Sequence, residues 1–156
     1  MAKIELWSVG KKHDTLVHKA IEEYTQRLNR YYPSKWQLIQ PAENSQSIAL
    51  QKKEEAQNIL KYLQPGDFLV LLDEAGLQQS SIKLASFIEQ QMNGSAKRII
   101  FLIGGAYGVD ESIKQKANFM WSLSLLVFPH MLVRLVLAEQ LYRACTIIKN
   151  EKYHHV

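Results

Sequence analysis

The sequence contains a single cysteine, Cys145, among its 156 residues. One cysteine cannot form a disulfide within the chain, so we expect a reducing, cytoplasmic setting. Because it falls in an apolar segment, we expect Cys145 to be a small core residue without reactivity. The chain also lacks an apolar run of about 20 residues, and its first residues lack the apolar core of a signal peptide. We therefore expect no membrane partner.

A strong charge of either sign is missing as well, since the formal net charge is only +4. Residues 1–35 carry seven Lys and Arg against four acidic residues, and residues 129–156 carry four against two. The middle of the chain is close to neutral. A polyanionic partner is compatible with this distribution, and so is an ordinary solvated surface, so charge alone does not decide between them.

The hydrophobic pattern predicts strands and helices in strict alternation. The predicted strands are 3–9, 36–40, 68–72, 98–103 and 119–123, and the predicted helices are 14–31, 45–63, 80–93, 110–118 and 129–149. Continuous apolar runs such as 98–103 are typical of strands that are buried on both faces. The pattern indicates one α/β domain over residues 1–156, with a mainly parallel sheet and helices on both faces.

The helix predicted after Pro129 is apolar on almost every side, so most of its surface must be buried. Its polar residues are therefore informative. His130 and Arg134 share one face, as do Glu139 and Arg143. A buried arginine needs an anionic or acceptor partner. Glu139 is the structural candidate for the partner of Arg143. A substrate phosphate or nucleobase is the functional candidate, and Arg134 and Arg143 would then orient the nucleotide.

Three segments follow predicted strands and should meet at the carboxyl edge of the sheet, where α/β proteins bind ligands. They are 72–76, 104–108 and 123–128. The glycine-rich segment 104–108 matches neither the dinucleotide fingerprint nor the P-loop. Asp110 and Glu111, at the start of the next helix, would repel a phosphate. The glycines indicate either a ligand without phosphate or ordinary turn geometry.

Four motifs resemble one bacterial family. They are FLIGGAYGVD at 101–110, WSLSLLVFPHMLVR at 121–134, LAEQLYRACTII at 137–148 and the final Tyr-His-His. On these motifs the whole chain is identified as a member of the ribosomal RNA large subunit methyltransferase H family, within the SPOUT methyltransferases. The resemblance implies a SPOUT-type fold with a C-terminal trefoil knot. It also implies a homodimer that transfers a methyl group from S-adenosylmethionine, without a metal, to N3 of a pseudouridine in 23S ribosomal RNA.

The resemblance also implies site residues. Its cofactor contacts fall on Leu72, Gly104, Leu123, Ser124, Leu125, Leu126, Val127 and Phe128. Many members have Ser-Lys-Met-Thr-Phe before Pro-His, whereas this chain has Ser-Leu-Leu-Val-Phe. Backbone contacts to adenine survive that difference, and contacts from a Lys or Thr side chain do not. Arg143, Tyr153 and His154 are the implied catalytic and substrate-positioning residues, with no general base assigned among them.

Two other functions stay open on the residues alone. One is a flavodoxin-like enzyme that uses another cofactor, against which the acidic start of the helix after the glycines argues. The other is a non-catalytic RNA-binding module, which would need a basic face but no cofactor site. For the methyltransferase, the substrate is either free 23S RNA or the assembled ribosome, and we favour the ribosome.

Overall fold

The structure is a computed structural model that describes residues 2–43 and 46–155. Its strands are β1 (Lys3–Val9), β2 (Ser34–Ile39), β3 (Asp67–Gln78), β4 (Arg98–Ile103) and β5 (Phe119–Ser122). Its helices are α1 (His18–Asn29), α2 (Ile48–Leu60), α3 (Ser81–Met92), α4 (Glu111–Lys116) and α5 (His130–Ile148). The strands form one sheet in the order β2-β1-β4-β3-β5. Every pair of neighbouring named strands is parallel.

The sheet separates two hydrophobic layers. Side chains of α1, α3 and α5 pack on one face, and side chains of α2 and α4 pack on the other. Neighbouring strand residues divide between the layers, because Leu6 points into the first and Trp7 into the second. The predicted fold class, a parallel sheet with helices on both faces, is confirmed.

The first helix begins at His18 and not at Asp14, where the predicted helix begins. The Asp14 carboxylate accepts the backbone N–H of Leu16 at 3.2 Å. The Asp14 carbonyl accepts the N–H groups of Val17 and His18. Asp14 thus forms a local turn, which competes with helix over residues 14–17.

Other helix ends also differ in detail from the prediction. The second helix is capped by the Ser47 hydroxyl, and its predicted first residue, Ser45, lies outside the described residues. The third helix ends at Met92, just before Asn93 and Gly94, and neither of these two residues adopts a left-handed conformation. Pro129 caps α5 from outside instead of forming its first helical residue.

The third strand continues past Leu72, where we predicted its end. Its pairing with β5 shifts register between Leu72 and Leu77, so the residues between them form a bulge. Gly76 makes this bulge feasible, since a β-carbon there would lie 2.6 Å from the carbonyl carbon of Met120. The bulge exposes Glu74 and Ala75 at the carboxyl edge of the sheet and leaves Asp73 half-buried.

The described part of the chain contains neither a membrane-spanning helix nor a metal-binding cluster of side chains. No helix there is long and apolar enough to cross a membrane. No group of three or more His, Cys, Asp or Glu side chains within residues 2–43 and 46–155 is arranged to hold a metal ion.

Candidate functional site

A cavity of about 570 Å³ opens at the carboxyl edge of the sheet, over the ends of β3, β4 and β5. Strand register brings these ends together, because Leu72 pairs with both Ile103 and Trp121. The predicted cofactor residues that line the cavity are Leu72, Gly104, Leu123, Ser124, Leu126, Val127 and Phe128. Leu125 does not line it, and its side chain is 77% exposed. The volume is within the range of small-molecule sites, roughly 300–1,000 Å³.

The cavity also has lining residues that the motifs did not indicate as cofactor contacts. His130 and Val133 reach it from the first turn of α5, and Tyr107 reaches it from the glycine loop. His130 had one signal in the sequence, a polar side chain at the start of an apolar helix. Burial lowers the pKa of His130, and the Arg134 charge lowers it further. The imidazole is therefore neutral at pH 7.

The charges at the cavity favour a cationic ligand over a phosphate. Its described lining contains Asp73 and Glu74 but no lysine or arginine. Hydrogen bonds from the Ser112 hydroxyl and N–H lower the pKa of Asp110, which caps α4 near the cavity. These carboxylates would repel phosphate groups.

The glycine loop is fixed by its own packing as well as by the cavity. A β-carbon at Gly104 would lie 2.8 Å from Cγ1 of Val109. Gly108 has a φ of +82°, which disfavours other residues, and its N–H donates to the Gly105 carbonyl at 3.0 Å. Turn geometry and an open ligand cavity, which the sequence presents as alternatives, therefore occur together.

The three predicted substrate-site residues form one cluster at the other end of α5. The Arg143 Nη1 lies 3.0 Å from Nδ1 of His154, and its guanidinium lies 4.7 Å from the ring centroid of Tyr153. Its Nε donates to Glu139 Oε1 at 2.7 Å, so the partner expected from helical spacing is present. Tyr153 also packs edge-on against Tyr142, with 4.7 Å between ring centroids.

This cluster offers hydrogen-bond donors and a stacking face. Arginine has no acceptor, so Nδ1 of His154 must accept from Arg143, and in the neutral imidazole Nε2 then carries the hydrogen. Burial raises the pKa of Tyr153 to about 12, with Tyr24 and Glu139 adding to the effect. The phenol stays protonated at neutral pH. Neither side chain is arranged as a general base.

The cluster and the cavity are far apart within one chain. His130 and Arg143 are separated by about 20 Å along α5, at a rise of about 1.5 Å per residue. Arg143, Tyr153 and His154 are all absent from the described lining of the cavity. The C-terminal residues 153–155, called the tail below, are therefore too far from the cavity of the same chain for both to contact one small substrate.

The Arg134 side chain is buried and donates hydrogen bonds to residues of its own chain. It is 1% exposed. It donates to the Ser8 hydroxyl at 2.9 Å, to the Lys11 carbonyl at 2.8 Å and to Nδ1 of His13 at 3.2 Å. Gly10 leaves room for it, because a β-carbon there would lie 2.8 Å from Nη2. The interpretation of Arg134 as a nucleotide-orienting group does not fit; it fastens the loop after β1 to α5.

Cys145 is a core residue, as expected. It is 1% exposed, and burial raises the pKa of its thiol to about 12. The thiol is therefore protonated up to strongly alkaline pH, and we expect no reaction with an aromatic disulfide reagent at pH 8 until the protein unfolds. One thiol per chain should then appear in guanidinium chloride. Fast labelling of the native protein would show that the core opens readily.

Known proteins are similar to this chain in sequence and in fold. The family model described as "Predicted SPOUT methyltransferase" matches residues 2–154. A protein of Cytophaga hutchinsonii named ribosomal RNA large subunit methyltransferase H is 43% identical over 154 residues, 98% of this chain and 99% of that protein. A protein of the same name from Parabacteroides distasonis is 42% identical over 155 residues, with the same coverage.

Solved structures agree at the level of the fold. A probable methyltransferase from Bordetella pertussis superposes with a TM-score of 0.58 at 8% identity, over 92% of this chain and 95% of that one. A probable methylase family protein from Haemophilus influenzae gives a TM-score of 0.51 at 12% identity, over 96% of this chain and 67% of that one. With the full-length sequence matches, these findings show that the chain belongs to the ribosomal RNA large subunit methyltransferase H family of SPOUT methyltransferases.

Proposed function

We propose that this protein transfers a methyl group from S-adenosylmethionine to N3 of a pseudouridine in 23S ribosomal RNA. The observation that carries the proposal is the cavity at three strand ends, in a chain that the family model matches over residues 2–154. The names of the relatives support a large-subunit RNA substrate. The motifs support the finer assignments: one SPOUT domain over residues 1–156, its C-terminal knot, a cytoplasmic location and the assembled ribosome as partner.

The cavity fits S-adenosylmethionine in size and charge. This donor has a sulfonium and an adenosine but no phosphate, and it supplies an electrophilic methyl group. We assign adenine to the backbone of residues 123–124 and 126–128, which line the cavity together with Leu72 and Gly104. Asp73 and Glu74 suit a cation. Nucleotide cofactors with phosphates would meet these carboxylates without a compensating lysine or arginine in the described lining.

The chain contributes to the reaction mainly by positioning. The acceptor nitrogen must lie opposite the sulfur, so that the new N–C bond forms as the S–C bond breaks and its electron pair stays on sulfur. The N3 proton leaves to solvent. Tyr153 offers a ring on which the base stacks, and Arg143 and His154 Nε2–H donate hydrogen bonds to nucleotide oxygens.

A homodimer would bring a tail and a cavity together, because the tail of one protomer would then close over the cavity of its partner. The surface near the cavity is suitably apolar: Leu126 is 68% exposed, Val127 77% and Leu132 43%. Exposed apolar surface of this kind marks an interface.

We expect light scattering to give the mass of a dimer at micromolar concentration. Leu132→Asp should produce a folded monomer without methyl transfer, because it places a charge in the apolar contact. The matched control is Ile82→Asp on α3. Ile82 is similar to Leu132 in size and is 45% exposed, and its replacement should leave the dimer intact. A monomeric parent protein would contradict the dimer.

The test of the function is a parallel titration with S-adenosylmethionine, a flavin nucleotide and a nicotinamide nucleotide. We expect binding of S-adenosylmethionine alone, and transfer of its labelled methyl group to large ribosomal subunits that lack the modification. Binding of a flavin or nicotinamide would favour a small-molecule enzyme. Binding of RNA without any of the three cofactors would favour a non-catalytic RNA-binding module.

A further inference from the structure

Glu55 is a buried carboxylate directly behind the cavity. It lies on α2 and is 5% exposed. Its Oε2 accepts the backbone N–H of Ala42 at 3.0 Å. Its Oε1 lies against the glycine loop, because a β-carbon at Gly105 would overlap that oxygen. Gly105 lines the cavity, so a single layer of backbone separates the carboxylate from a ligand there.

This carboxylate has no cation beside it in the described structure. None of the ion pairs found within residues 2–43 and 46–155 includes Glu55. His130 is within electrostatic reach, but burial and Arg134 lower its pKa, so it is neutral at pH 7. Arg134 itself donates to neutral acceptors. A buried carboxylate without a counter-charge is unfavourable, which points to a cation that arrives with the ligand.

We propose that Glu55 is a positioning residue whose negative charge makes the cavity prefer a cationic sulfonium donor to the neutral thioether that remains after methyl transfer. The inference rests on the proposed function. Donor and product differ by one methyl group and one positive charge, so shape alone discriminates weakly between them. A buried charge acts through a low dielectric, whereas Glu74 is exposed and screened by water. Loss of the attraction after transfer favours product release.

The experiment is calorimetry on Glu55→Gln with three ligands: S-adenosylmethionine, S-adenosylhomocysteine and sinefungin, in which an ammonium-bearing carbon replaces the sulfonium. Glutamine keeps the shape and an oxygen that accepts the Ala42 N–H. Affinity for the two cationic ligands should fall about tenfold, and affinity for S-adenosylhomocysteine should change less than about threefold. The ratio between ligands is the informative quantity, because a purely structural role of Glu55 would weaken all three alike.

The adjacent Glu54 provides the matched control. It is exposed and accepts the Glu43 N–H at 2.9 Å, so Glu54→Gln removes the same charge from the same helix without altering the ligand ratio. Gly105→Ala is a second route, since the added methyl group displaces the Glu55 carboxylate and should reduce the same preference. If Glu55→Gln and Gly105→Ala leave the ratio of the affinities for S-adenosylmethionine and S-adenosylhomocysteine unchanged, including by weakening all ligands equally, the inference is overturned and the proposed function is not. Absence of S-adenosylmethionine binding by the parent protein overturns the proposed function and the inference together.

Discussion

Truncation after Lys152 is expected to reduce methyl transfer at least about a hundredfold, with little change in S-adenosylmethionine affinity. The deletion removes Tyr153, whose stacking on a base is worth about 1–3 kcal/mol. It also removes His154, the partner of Arg143 at 3.0 Å. The cavity is built from other elements and stays intact. Methylation of ribosomes and calorimetry with the donor, run in parallel on the same preparation, measure both effects.

A shorter truncation serves as the control for this result. Ending the chain at His154 removes the exposed His155 but keeps the cluster on Arg143, so activity should stay close to that of the parent. The longer truncation also removes the contact of Tyr153 with Tyr142 and Arg143, and we expect about 1 kcal/mol lower stability from it. Full activity after truncation at Lys152 would show that the tail has no part in the reaction.

Arg134→Met should lower the free energy of unfolding by about 2–4 kcal/mol. The side chain is 1% exposed, and its loss leaves the buried Ser8 hydroxyl, the Lys11 carbonyl and Nδ1 of His13 without their donor. Arg134→Lys keeps the charge but not the planar fork, so it should recover only part of the difference. Urea unfolding measures both variants. Stability within about 0.5 kcal/mol of the parent in Arg134→Met would contradict a fastening role.

The strands were predictable where a local signal marked both ends. The bounds of β1 and β4 match the prediction. Apolar residues alternate with polar ones in β1 and are almost continuous in β4, and each strand stops before a glycine. The continuation of β3 was not predictable, because it depends on the pairing of Leu77 with Trp121, far away in sequence. Local pattern cannot specify such a contact.

The site was predictable to a similar degree. Parallel topology brought the three predicted segments to one edge, and only Leu125 of the predicted cofactor residues lies outside the cavity lining. The partners of Arg134 could not be predicted, since Ser8 is 126 residues away. Glu55 was missed because a glutamate on a polar helix face is normally solvated. Only the packing of α2 behind the glycine loop shows that it is buried.

The most direct test is nucleoside mass spectrometry of 23S ribosomal RNA after incubation of unmodified large subunits with this protein and S-adenosylmethionine. We expect one added methyl group per subunit, on a pseudouridine, with fragmentation and retention that identify N3 as its position. No product should form without the donor. Methylation of another nucleoside, of a different atom of pseudouridine or of small-subunit RNA would contradict the proposed reaction, and so would unmodified RNA from an assay in which the donor demonstrably binds.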